Sequence, residues 1–286
     1  MGSQANRIEE MFLLSEYKGL VPEVTVTATD KEGEEKTVNL LKAAHRLADA
    51  AIRFSDGEEA IDDAFNTFLA RGDATQIAKL SPMSLVFGVW DSRGTQAKIG
   101  RCLGSTIYAT NVEELTRSAQ FVPSFTREYI EGKAEDDLTV KEKEKWSKAG
   151  LAHTPASGPG GVIVRGEVVK EAVLNLIALK HLRADDRDNT TKLQEYVLGL
   201  ALVAATATQD YDLRQGCLLV RDGEDAVSAI QVSRDGREET FNLDHQATLE
   251  FASAAANRFG VGEDQRFTFD PKKAKDYLKK KTGGDD

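Results

Sequence analysis

The chain has 286 residues, 41% of them hydrophobic and 29% charged, the balance of a globular protein long enough for one large domain or two modest ones. Its 37 Lys plus Arg stand against 47 Asp plus Glu, a formal net charge of -10. That balance argues against nonspecific binding to nucleic acid over the whole surface, but it leaves room for a local basic groove.

In chain order, residues 3–17 read as a helix, with Ser3 as cap and Ile8, Met11 and Phe12 at helical spacing. Val21 to Thr29 alternates like a strand, and "DKEGEEK" turns it back toward Thr37 and Val38. Residues 39–54 are predicted as a second helix. At about 100° per residue, Lys42, His45, Arg46, Asp49 and Arg53 fall on one exposed, mostly cationic stripe. "EEAIDDAFNTFLARG" is an amphipathic helix ended by Gly72. "SPMSLVFGVW" has apolar residues on both pleat faces and predicts a buried strand, with Gly88 marking a close approach of other backbone or a ligand. "DSRGT" then turns, and Ala97 to Thr110 is extended.

Residues 111–160 are highly charged, have little apolar periodicity, and close with "HTPASGPGG"; they read as an insertion projecting from a body formed by 1–110 and 161–286. After it, "GVIVRGEVV" predicts a strand, "KEAVLNLIALKHL" a helix buried through Val173, Leu176 and Ile177, and "TTKLQEYVLGLALVAAT" a buried helix. Two Asp-Gly turns separate "GCLLV", "AVSAIQV" and "ETFNL" into a predicted three-stranded meander. A helix from about Asp244 to Phe259 follows, then a basic tail over 271–286 with six Lys, read as a solvated end. This order describes an α+β protein.

Two distant cysteines, Cys102 and Cys217, form no Cys-x-x-Cys pair, which fits a reducing cytoplasm. The apolar stretches are too short to span a bilayer, so no membrane role is expected. Phosphate-loop, zinc-protease and nucleophile-elbow signatures are absent, and the four histidines lack metal-ligand spacing, so neither a metal nor a cofactor is implied. Asp91 could act as a general base at a strand end, but Asp and Ser in "DSRG" are turn formers first. Trp90 is either core or a base-stacking platform. Arg93, Lys98 and Arg101 are ordinary cations singly, but clustered on one turn and strand they give the positive local field a phosphate backbone needs.

"SQANRIEE", "SPMSLVFGVWDSRGT", "LTRSAQFVPSF", "GGVIVRGEV", "VLNLIALKHLR" and "LGLALVAATATQDYDLRQGCLLV" closely resemble segments of the backbone subunit of type I-G (formerly I-U) CRISPR effector complexes, a family of the repeat-associated mysterious protein superfamily. The resemblance implies a modified RNA-recognition-motif (ferredoxin-like) fold with a thumb, here residues 111–160. It implies a noncatalytic cytoplasmic subunit that oligomerises along CRISPR guide RNA as the spine of an antiviral Cascade complex, beside other type I-G subunits, with target DNA recognised by guide pairing. Members of that family carry a segment before the "SQAN" motif that contributes a first strand, whereas two residues precede it here. On this reading Trp90, Arg93, Lys98 and Arg101 face guide RNA, Ser92 and Gly94 admit the backbone, and Arg46 and Arg53 add charge. Arg117 and Ser118 at the thumb's root and Arg165 in "VIVRGE" are carried over from the resemblance. The competing expectation is an RNA-cleaving endoribonuclease of the same superfamily, with Asp91 as the first suspect.

Overall fold

A computed structural model of the chain describes residues 2–282, apart from 208–210, 215–216, 221 and 224–227. Contacts divide the chain into two compact units, Met1–Thr106 with Glu171–Asp286, and Ile107–Lys170. The class is α+β, with small sheets among many helices.

The first unit opens with α1 (Gly2–Met11), shorter than expected because the chain tightens into three-residue turns at Phe12 to Leu14 before a 3-10 turn at Ser15–Tyr17. β1 (Val24–Thr29) turns through Gly33, whose φ of 88° is left-handed, into antiparallel β2 (Glu35–Asn39). Alternation along β1 points Val24 and Val26 into the core.

The helix expected over residues 39–54 is replaced by three short pieces: 3-10 turns at Leu40–Lys42 and Arg46–Ala48, then α2 (Ala50–Arg53). Asn39 and Asp49 accept hydrogen bonds from Leu41 and Ala51 N–H, so capping interrupts the helix. Arg46, at φ 52°, breaks it again. α3 (Glu58–Arg71) buries Ile61, Ala64 and Phe65 and ends at Gly72 in the left-handed region. α4 (Thr75–Leu80) follows.

The expected strand over "SPMSLVFGVW" is a further correction, for its fully buried run forms α5 (Met83–Val86), and only Val89–Trp90 (β3) is extended. An apolar run buried on all sides suits either conformation, and the turn at Gly88 (φ 80°) separates the two. A Cβ on Gly88 would stand 3.0 Å from both the Arg101 nitrogen and the Ile99 oxygen, the close backbone approach the glycine signalled. β3 pairs antiparallel with β4 (Lys98–Ile99), and β5 (Leu103–Ala109) follows.

In the second unit, β6 (Val112–Phe121) is followed by α6 (Arg127–Glu131), a 3-10 turn at Glu135–Asp137 and α7 (Val140–Lys148), which starts with a Thr139–Glu142 capping box. β7 (Thr154–Val164) returns antiparallel to β6. Thus the expected loop "HTPASGPGG" lies largely within a strand. Among the described residues of this unit, Pro123 and Ala152 alone are buried.

The expected strand "GVIVRGEVV" is broken at Arg165 and Gly166 between β7 and β8 (Val168–Leu174), and β8 is the partner of β5. The helix expected from Lys170 begins only at α8 (Leu176–His181), where the Asn175 side chain caps Ile177 and Ala178 N–H, and Val173, Leu176 and Ile177 are exposed, not buried. α9 (Arg187–Thr206) is the buried helix expected. The meander is corrected to two separate ribbons, β9 (Tyr211–Arg214) with β10 (Cys217–Leu219) and β11 (Ala229–Val232) with β12 (Glu238–Phe241). Gly216, Ala226 and Val227 of the expected strands lie outside the described residues.

α10 (His245–Phe259) packs on α9, where Gly199 admits Ala252 and the Tyr196 and Phe259 rings stack at 4.8 Å. β13 (Gln265–Thr268), absent from the sequence reading, adds parallel to the free edge of β1. The expected tail is a docked helix, α11 (Pro271–Thr282), with 283–286 outside the described residues. No described helix is long and apolar enough to cross a membrane.

Candidate nucleic-acid interface

The β3–β4 hairpin carries the expected cluster in the first unit. Trp90 and Lys98 are cross-strand partners, Trp90 is 58% exposed, and the Lys98 ammonium lies 5.5 Å from the centre of its ring. An indole that exposed is not core. Ser92, Arg93, Gly94 and Arg101 are also exposed, so hairpin and flank present an aromatic face with three cations.

Beneath them sits Asp91, 1% exposed. Its carboxylate accepts hydrogen bonds from Thr95 N–H at 2.6 Å and the Thr95 hydroxyl at 2.9 Å, and pairs with the Arg53 guanidinium. Burial raises the Asp91 carboxyl, but the bonds from Arg53 and Thr95 outweigh it and hold the group below its ordinary value. The hairpin's own negative charge is thus withdrawn from the surface and neutralised. Gln96, at φ 66°, closes the turn by donating its side-chain N–H to the Ser92 carbonyl at 2.7 Å. A side chain on Gly94 would collide with the Arg53 guanidinium and the Asp91 carboxylate, so this glycine serves the ion pair under the loop.

Arg46 and Arg53 differ from expectation for the same reason. The residues of the supposed stripe do not share one helix, and both guanidinium groups turn inward. Arg46 grips Glu9 with bonds of 2.6 and 2.9 Å, reaches the Gly88 carbonyl at 3.1 Å and lies over the Phe87 ring. Burial pushes the Glu9 carboxyl up to about 7 against the pull of Arg46. Both arginines therefore support the hairpin from inside.

Arg117, Ser118 and Arg165 belong to the second unit. Arg117 and Ser118 are exposed on β6 opposite Gly158 and Ser157. Arg165 lies just past β7, its guanidinium 2.8 Å from Glu113.

Sequence reasoning missed Glu9 and Thr95. The spacing of Asp91 and Thr95 in a turn was a usable signal for the second; nothing marked Glu9 as a buried partner. Among the described residues, no group of three or more His, Cys, Asp or Glu side chains is placed to hold a metal ion.

None of the curated proteins matches the chain. Residues 1–114, the stretch that holds the whole hairpin with both arginine–carboxylate pairs beneath it, match the model of the family described as CRISPR-associated protein GSU0053.

Proposed function

We propose that the chain is a guide-RNA-binding backbone subunit of a type I-G CRISPR effector complex, with an RNA-recognition-motif-like body, a thumb formed by residues 111–160, and no nuclease activity of its own. Copies of it repeat along the guide, beside the other effector subunits, and the guide pairs with target DNA. A role in CRISPR defence follows from the family matched by residues 1–114. The backbone role rests on one observation: an exposed Trp90 with Lys98 against its ring and Arg93 and Arg101 nearby, on a loop whose only carboxylate is buried and paired. An aromatic face with flanking cations stacks any base and binds any phosphate, which suits a subunit that must accept every guide sequence. Arg117 and Ser118, exposed on the thumb, extend the same chemistry.

The noncatalytic part of the reading is supported by Asp91, whose carboxylate is engaged by Arg53 and Thr95 and held below its ordinary value, leaving a weak base. Guide RNA should stay intact after long incubation with magnesium; cleavage abolished by Asp91→Asn would overturn this.

The binding test is a salt titration of RNA affinity for Arg93→Ala with Lys98→Ala. Two lost phosphate contacts should lower the salt slope by about 1.4, at about 0.7 per contact on a single strand, and equally for two RNAs of unrelated sequence. An unchanged slope would overturn the placement.

A further inference from the structure

The Lys-rich C-terminal segment is an ordered helix with two unlike faces. At about 100° per residue, Lys273, Ala274 and Tyr277 of α11 fall within about 100° of arc. All three are partly buried, Tyr277 against the Phe54 ring at 5.4 Å and Lys273 against Glu58 at 2.7 Å and the Ser55 carbonyl at 2.9 Å. Asp270 fixes the start of the helix by accepting from Lys272 N–H at 2.8 Å. Lys272, Lys275 and Lys279 fall within about 60° of arc on the opposite side and are exposed. A tail that only solvated the chain end would need neither ring packing nor a cap.

The mounting of this helix is informative. Arg53 holds Asp91 and thereby the Trp90 hairpin, while the next residue, Phe54, holds Tyr277 with its ring and accepts from Asp270 N–H at 2.6 Å with its carbonyl. Two exposed cationic elements, distant in sequence, are therefore anchored on consecutive residues of one unit. The three outward lysines span about 10 Å of helix axis, roughly three nucleotides of a stacked strand.

We infer that the outward face of α11 is a second phosphate-binding surface that takes the same RNA strand as the Trp90 hairpin, an inference that rests on the function proposed above. Lys272 and Lys275 supply charge with no ion pair among the described residues, and Lys279 lies 3.8 Å from Asp276. The helix extends the phosphate-binding track without reading sequence.

The test replaces Lys272, Lys275 and Lys279 with Gln in the full chain, keeping Lys273 and Tyr277, and measures affinity for an unstructured 20-nucleotide RNA across salt concentrations. The salt slope should fall by about 2, three contacts at about 0.7 each, with Tm unchanged. Lys275→Glu alone, which touches no inward contact, should weaken binding in the same direction and serves if the triple variant loses its fold. An RNA slope unchanged by these variants but lowered by the Arg93 and Lys98 substitutions would overturn this inference and leave the hairpin standing. A slope that neither set of substitutions moves would overturn the proposed function itself. Weakening confined to duplex DNA, or to self-association without RNA, would assign the face to another partner and overturn the inference.

Discussion

Arg46 and Arg53 each point a guanidinium at a carboxylate that water scarcely reaches, and the energetic asymmetry of such pairs sets their mutational behaviour. Removing one partner leaves a buried uncompensated charge, at a cost of about 3–5 kcal/mol. Arg53→Ala should therefore destabilise the first unit by about that amount and weaken RNA binding through a loosened hairpin, whereas the exposed Arg93→Ala should change stability by less than about 0.5 kcal/mol. Urea unfolding distinguishes them. The two carboxylates also predict opposite pH dependences. Glu9 rises from 4.5 unfolded to about 7 folded, so the folded chain holds the proton more firmly and stability falls as pH rises through that window. Asp91 is depressed below 3.8, so its contribution is present above that value and lost as pH falls through the folded value. Glu9→Gln should flatten the first dependence in urea midpoints measured between pH 5 and 7; a slope kept in the variant would assign it elsewhere.

Among the elements, those legible in the sequence had one dominant signal. α3 showed a clear apolar stripe with Gly72 behind it, α10 a capping Asp244, and β1–β2 alternation around a Gly turn. Elements that misled were settled by tertiary demands. The helix expected at 39–54 has good helical periodicity, but Arg46 must leave helical geometry to reach Glu9 and the Gly88 carbonyl. The run at 81–87 is buried throughout, so periodicity could not choose between α5 and a strand. β13 is short and pairs with a strand some 240 residues away, a partner that no local window contains. For the candidate site, the exposed cations and Trp90 were legible from clustering, whereas the inward turn of Arg46 and Arg53 depends on partners distant in sequence. Helix packing yields a further test. An Ala at position 199 would put its Cβ 2.7 Å from the Ala252 Cα, forcing α9 and α10 apart. Gly199→Ala should cost about 1–3 kcal/mol in urea unfolding, and a neutral result would contradict the close packing of these helices.

At the scale of the molecule, a net charge of -10 coexists with a basic hairpin because charge is segregated locally, with Asp91 drawn beneath the loop. The second unit follows a different logic. With Pro123 and Ala152 as its buried residues among those described, and Phe121, Val122, Phe125 and Tyr129 each more than half exposed, it is held by the β6–β7 ladder and helix caps more than by a core. Residues 107–170 made as a separate peptide should show no cooperative thermal transition. The most direct test of the central proposal is to co-express the chain with its CRISPR array RNA, purify it, and measure particle mass and nucleic-acid content. The account predicts RNA-containing particles several times the 31.3 kDa of one chain, reduced by the Arg93 and Lys98 substitutions. A chain that purifies as an RNA-free monomer would contradict it.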